Sequence, residues 1–339
     1  MSAARPHVAA FLGTQALGDY VMQHLAAASV ARALGARLTV LFRDDRPYKG
    51  TVNRLNPRVD RLIGMPENSE DLLPLDVIGQ GDDPPDILLT PSMLDLGRCV
   101  GPPPRLRLPA DLDDPLRDQL VARGLAPDRW HACLHLRQSG YLWRLGADPH
   151  RNVDPLSYLP MVRRIVEDHG GQVVRLGDPS MTPFPALPGL VELGREPDTF
   201  PLQVHALAHA RFFIGTDTGP TQLACALGVP AATTNALGIG VWNDGDLVLF
   251  KGYRRRDGGD RVPVADLVGM NPMLGNERPS GLDFEDAAPE TLVRVADHMV
   301  AVTDHPRPAP EAAPPPVPRL PFPLPWRDMA DMADLTVWE

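Results

Sequence analysis

The run Phe212-Phe213-Ile214-Gly215-Thr216-Asp217-Thr218-Gly219-Pro220-Thr221-Gln222-Leu223 carries the strongest chemical signal in the chain. Its apolar start reads as a strand ending at Gly215. A helix should begin near Gly219, with Thr218 as its N-cap and Pro220 in its first turn. Free amides and the positive end of such a helix suit an anion such as phosphate. Gly215, Thr216 and Gly219 are small enough to let that anion reach the backbone. The same residues also describe an ordinary capped turn, and local features leave both readings open. A second glycine-bounded loop, from Gly13 through Gly18 to Asp19 and Tyr20, follows an apolar run and opens a helix. It lacks the G-x-G-x-x-G spacing, so a dinucleotide fingerprint is unsupported. A third stretch, Cys133-Leu134-His135-Leu136-Arg137, ends another strand, with His135 and Arg137 on one side. Arg144 follows, then Arg151 and Arg175. Single surface arginines are usually solvated, but the clustering of Arg137, Arg151 and Arg175 near strand ends points to a ligand. Lys251, after the strand Leu247–Phe250, is a further cation that could point at it. Arg254-Arg255-Arg256, just before two glycines, reads as a solvated loop.

No metal or cofactor is expected. The pairs Asp44-Asp45, Asp82-Asp83 and Asp113-Asp114 read as loops without the strand-end setting of a D-x-D site. The 10 histidines show neither H-E-x-x-H nor another ligand spacing. Cys99, Cys133 and Cys225 are far apart, which suits a reducing compartment without disulfides or zinc. A formal charge of −10 excludes nucleic acid as the partner, since phosphate backbones need a basic face. The apolar run at His7 to Gly13 is too short for a signal peptide, and no stretch is long enough to span a membrane. A cytoplasmic protein is the expectation.

These residues need elements to position them. A chain of 339 residues, 43% hydrophobic, fits two domains at roughly 150 residues each. Strands are expected at His7–Leu12, Arg37–Phe42, Asp60–Ile63 and Asp86–Thr90, with a helix over Tyr20–Leu34 capped by Gly35. That helix should bury one side, through Met22, Leu25, Ala26, Ser29, Val30 and Ala33. A Pro-, Asp- and Arg-rich connection with a helix near Pro115–Arg123 comes next. The series then restarts: strands at Trp130–Leu136, Gln172–Leu176, Arg211–Gly215, Val229–Thr234 and Leu247–Phe250 alternate with helices over Pro155–His169, Pro201–Ala208 and Pro220–Leu227. Pro289–Val302 is a closing helix. Alternation of this kind predicts an α/β protein with two Rossmann-like doubly wound domains, 1–125 and 126–304, facing a central cleft lined by carboxyl ends of strands. From Pro306 to Pro325 there are ten prolines in twenty residues, so 305–339 reads as an extended tail with a short terminal helix. That tail could serve a self or partner contact.

Thr216 to Pro230 resembles the D-T-G-x-x-H-L-A-A-A-L-x-x-P signature of the heptosyltransferase family, which has the two-domain GT-B fold. The resemblance implies that Asp217, Thr218 and Gly219 contact the donor's phosphates and sugar. Gln222 stands where that signature has histidine; it keeps a hydrogen-bond donor and acceptor but carries no charge. Gly13 to Asp19 is similar to the family's G-G-I-G-D loop. That implies Asp19 as general base, taking the proton of an acceptor hydroxyl. Asp19 as a helix N-cap is the other reading, and the two can coexist. The H-x-R of His135 and Arg137 is similar to the phosphate-contacting arginine of fucosyltransferase-like GT-B enzymes, where a guanidinium fork can take two phosphate oxygens. The order H-x-R-x-S-G-Y, R-N, a helix with Tyr158, then V-V-R-L-G-D resembles a bacterial group of glycosyltransferases in this superfamily, over much of residues 130 to 235. These resemblances imply transfer of a sugar from a nucleotide-diphosphate donor to a hydroxyl of a glycan, lipid-linked sugar or small molecule. The transfer would be inverting and metal-independent. Two alternatives stay open: a GT-B epimerase of sugar nucleotides, and a catalytically silent nucleotide-binding scaffold.

Overall fold

The computed structural model describes residues 5–65, 84–96, 104–138, 149–237, 246–263, 266 and 281–303, within two compact units. The first unit runs to Asp113 and takes in Ala226–Gly228; the second holds Asp114–Cys225 and continues from Val229. Cys99, Asp82-Asp83, the segment containing Arg144 and the proline-rich tail lie outside the described residues.

The first unit contains β1 (His7–Leu12), α1 (Leu17–Ala33), β2 (Arg37–Arg43), α2 (Tyr48–Leu55), β3 (Arg61–Met65), β4 (Ile87–Leu89) and α3 (Pro91–Leu96). All four strands are parallel, in the order β3-β2-β1-β4. Continuous apolar strands suit a sheet covered on both faces. Gly35, at φ +61°, ends α1: its N–H bonds Arg32 O at 3.1 Å, and Ala36 N–H bonds Ala31 O at 2.8 Å. That is the paired stop a left-handed residue makes possible. The expected one-sided burial of α1 is corrected: Tyr20 to Ser29 is buried without a break. A helix covered all round needs no amphipathic stripe. The helices α2 and α3 are additions to the expected elements. The inner face of α2 is Tyr48, Lys49, Val52, Asn53 and Leu55, so its helical period is carried partly by polar residues that an apolar count passes over.

The second unit carries β5 (His131–His135), β6 (Gln172–Arg175), β7 (Leu190–Glu192), β8 (Phe212–Gly215), β9 (Ala231–Ala236) and β10 (Leu247–Phe250), parallel throughout. Their order, β10-β9-β8-β5-β6-β7, is that of a doubly wound sheet. A continuous helical segment, Pro155–Asp168, whose middle is α5 (Leu159–Arg163), packs with α8 (Pro289–Val302) over a core that includes Leu134, Tyr158, Val162, Phe212, Ile214, Val295 and Met299. The remaining helices are α4 (Ala110–Ala122), α6 (Phe200–Ala208) and α7 (Gly219–Leu227). Asp113-Asp114 therefore lies inside α4 and not in a loop. Two further strands, β11 (Gly252–Arg255) and β12 (Leu282–Glu285), form an antiparallel ribbon. This corrects the loop expected around Arg254: Arg254 pairs with Glu285 and Arg256 with Asp283, both at 3.0 Å across the ribbon. Opposite charges facing each other support such a pairing.

Candidate functional site

In the second unit the strand order reverses direction between β5 and β8, which are adjacent, with His135 opposite Gly215. Their two following loops leave the sheet side by side at its carboxyl edge. Open parallel sheets offer ligands a crevice at this position. The sequence places Arg137 on one loop and Thr216, Asp217 and Thr218 on the other.

The two loops are joined by short hydrogen bonds. Thr216 N–H donates to His135 O at 3.1 Å, and Arg137 N–H donates to Thr216 Oγ1 at 2.9 Å. His135 Nδ1 and Thr218 Oγ1 share a bond of 3.0 Å. Gly215 permits the approach: a Cβ there would lie 2.8 Å from the His135 carbonyl oxygen. Burial pulls the His135 imidazole down to about 4, Asp178 pushing it up and Arg175 and Arg137 pulling it further down. The ring is neutral at pH 7. Sequence reasoning gave His135 no role of its own. The signal was there in its strand-end position, two residues before Arg137.

Thr218 precedes α7, as expected, and its carbonyl accepts from the N–H groups of Thr221 and Gln222 at 3.1 and 3.4 Å. Its hydroxyl turns away from the helix, to His135 and to Thr216 O at 3.2 Å. Thr221 Oγ1 also donates to Thr216 O. The helix start is thus built by side chains that face the loop. The loop backbone, Gly219 and the positive end of a nine-residue helix form a surface suited to an anion. Gln222 lies on the first turn of this helix, its Oε1 buried with no hydrogen-bond partner among the described residues.

Arg151 joins this loop: Nη2 lies 3.3 Å from Asp217 Oδ2 and also donates to Asp217 O. Both side chains are about a quarter exposed, at 27% and 24%, so a ligand can compete for the guanidinium. Lys251, at the end of β10, is almost fully buried; Nζ pairs with Asp286 Oδ1 at 2.6 Å and donates to Asn152 O at 3.0 Å. It fixes the segment that carries Arg151. Its charge is balanced by Asp286 in place, which gives it a supporting position beside the segment of Arg151. Arg175 is likewise turned elsewhere: buried at 3% exposure, it pairs with Glu192 at 2.7 Å and stacks 4.1 Å from the Phe184 ring. At the end of β9, Asn235 sits at φ +52°, donates to Tyr158 Oη at 2.8 Å and accepts from Ala287 N–H at 2.7 Å. A non-glycine residue in that backbone region is held there by its surroundings.

In the first unit the reversal falls between β1 and β4. The loop after β1 begins at Gly13, where a Cβ would lie 3.3 Å from the Pro91 side chain. It ends at Ala16, one residue before α1, so Gly18 and Asp19 are already helical. The N-cap is Ala16, which corrects the reading of Asp19 as the cap; Asp19 is exposed in the first turn, where a carboxylate is favoured. His205 and His209, four residues apart at the end of α6, have ring centroids 4.6 Å apart. The spacing is one turn of helix, a ligand spacing that a search for H-E-x-x-H passes over.

No family model matches the chain, and no curated protein does. Solved structures do. The family 9 glycosyl transferase from Veillonella parvula superposes with a TM-score of 0.60 at 12% identity, covering 89% of this chain and 99% of that one. The ADP-heptose LPS heptosyltransferase II of E. coli gives 0.56 at 14% identity, covering 88% and 100%. Likeness at such identities is a likeness of fold, set by the order and direction of strands in both units. The chain has the heptosyltransferase-like GT-B fold.

Proposed function

We propose that the protein is a glycosyltransferase moving a sugar from a nucleotide-diphosphate donor to a hydroxyl acceptor. The observation that carries this is the joining of the β5 and β8 loops at the switch point of the second sheet. There, a helix start and the guanidinium of Arg151 meet in a fold shared with sugar-nucleotide enzymes. In this reading the donor's diphosphate lies against Thr216–Gly219, with Arg151 and Arg137 on its oxygens, and Gln222 faces the sugar. Arg151 leaves Asp217 for the phosphate, and Asp217 then serves the sugar hydroxyls.

The proposed reaction is a single displacement with inversion. Asp19 takes the proton of the acceptor hydroxyl while that oxygen forms its bond to the anomeric carbon. The bond from that carbon to the diphosphate oxygen breaks, and its electron pair leaves with the nucleoside diphosphate. The helix start and the arginines meet the charge that develops on the leaving group, so no metal is required in this scheme. The E. coli relative is named for ADP-heptose; Gln222 in place of histidine leaves the sugar of this donor open. No helix among the described residues is long and apolar enough to cross a membrane, and we place the reaction in the cytoplasm.

A thermal-shift screen with UDP, GDP, ADP, CMP and dTDP tests the donor site. A nucleotide present at 100 times its Kd adds about 2.7 kcal/mol of stability. Turnover is then measured with the matching sugar nucleotide. Asp19→Ala should abolish turnover and keep nucleotide affinity; an Asp19→Ala protein as active as the parent sinks the base assignment, and a binder that never consumes donor is a scaffold.

A further inference from the structure

Lys49 in the first unit has no solvent exposure at all. Its Nζ lies 2.7 Å from Asp45 Oδ1, donates to Arg43 O at 3.1 Å and sits 4.8 Å from the Tyr20 ring centroid. A buried ion pair is weak evidence for stability, because apolar residues of similar volume often fill such a place as well or better. Position gives it a purpose. The other oxygen of Asp45 accepts from Gln15 Nε2 at 3.0 Å, Arg46 Nη2 donates to Gln15 Oε1 at 2.9 Å, and Tyr48 Oη donates to Gln15 O at 2.7 Å. The connection between β2 and α2, with the first residue of α2, thus grips the loop after β1 at one residue through three bonds.

Gln15 is exposed, so these bonds are not forced by a need to satisfy a buried amide. Next in the chain, Ala16 is the N-cap of α1 and its carbonyl accepts from Tyr20 N–H at 2.9 Å. The first turn that presents Asp19 therefore starts directly after the gripped residue. Lys49 keeps Asp45 charged and aimed. Burial works against the Asp45 carboxylate, but the hydrogen bond and charge of Lys49, with Gln15, outweigh it and hold the group below its ordinary range. We propose that Gln15, Asp45 and Lys49 are positioning residues that fix the direction of Asp19. This rests on the reading of Asp19 as the base.

The test uses the full chain, with Gln15→Ala and the double variant Asp45→Asn/Lys49→Met, in which both charges leave together. Gln15→Ala should keep its Tm within about 2 °C, as exposed substitutions do. The KM for donor should stay at the parent value while kcat falls on the order of 10- to 100-fold, the scale of a misplaced reacting group. Amide exchange at 14–18 should speed up. The double variant should show the same split between kcat and KM. Parent kcat in Gln15→Ala overturns the inference and leaves the glycosyltransferase reading intact. So does a kcat loss that comes with a lowered Tm or a raised donor KM, which marks a plain structural staple. A parent chain inactive on every sugar nucleotide removes the base reading, and this inference with it.

Discussion

His135 shows how a single residue can be made to serve by its surroundings. Its ring and that of His24 are both held near 4 by burial, against an ordinary value of 6.5. Both are neutral when folded at pH 7, and the unfolded chain protonates first as pH falls. Their contribution to stability is therefore full above pH 6.5 and is lost progressively between 6.5 and 4. At pH 5 the loss should be about 2 kcal/mol for each ring. Urea denaturation at pH 7 and pH 5 reads this, and equal midpoints would falsify it. Arg175 and Glu192 give a second residue-scale prediction. Arg175→Met removes one of the two guanidinium groups paired with the Glu192 carboxylate, 11% exposed, and leaves the more exposed Arg195. It should cost about 1–3 kcal/mol, part of it restored by Arg175→Met/Glu192→Leu. A single variant as stable as the parent removes the pair from the fold's support. At this scale the sequence marked Asp217, Thr218 and Arg151 as candidates, because residue type and cap position are local. It did not show that Thr218 turns to His135, a contact spanning 83 residues. Nor did it show that Arg175 and Lys251 face carboxylates of their own.

Among elements, the β5–β8 pair bears the candidate site, and its closeness depends on a missing side chain. Gly215→Ala would set a methyl 2.8 Å from the His135 carbonyl and 2.5 Å from the Phe213 ring. Parting the strands should cost about 1–3 kcal/mol and loosen the loop proposed to hold the diphosphate. Nucleotide affinity should fall at least in step with Tm; a variant that binds and melts like the parent contradicts the packing described. Gly35→Ala tests the other extreme, since nothing lies within 4 Å of its missing Cβ and only φ +61° opposes it. A Tm loss worth about 1 kcal/mol, with unchanged nucleotide affinity, is expected. The parallel strands and the long helices were legible in their apolar runs. The helix α2 was hidden because Lys49 and Asn53 occupy its inner face, and the ribbon of β11 and β12 because its partners lie some thirty residues apart.

For the molecule as a whole, each of the two units has a parallel sheet of its own. A nucleoside diphosphate bound as proposed should slow amide exchange at residues 131–137 and 212–222 of the second unit. The strands of the first should keep their rates. Protection confined to the first unit would place the donor elsewhere. Because the net charge is −10, attraction for the diphosphate has to come from the local helix end and arginines, and affinity should weaken as salt rises.

By itself the amino-acid order determined the α/β class, the repeat of the strand–helix series, and the two loops where chemistry could occur. Those properties arise from periodicity, glycine and proline placement and cap residues, all of which act within a few positions of the chain. Tertiary structure decided which strands became neighbours, and so which loops meet at each reversal. It also decided which cations are held away from the loop by carboxylates of their own and which stand at it. Such matters depend on packing between residues tens of positions apart, where burial and partner choice outweigh anything a local pattern carries.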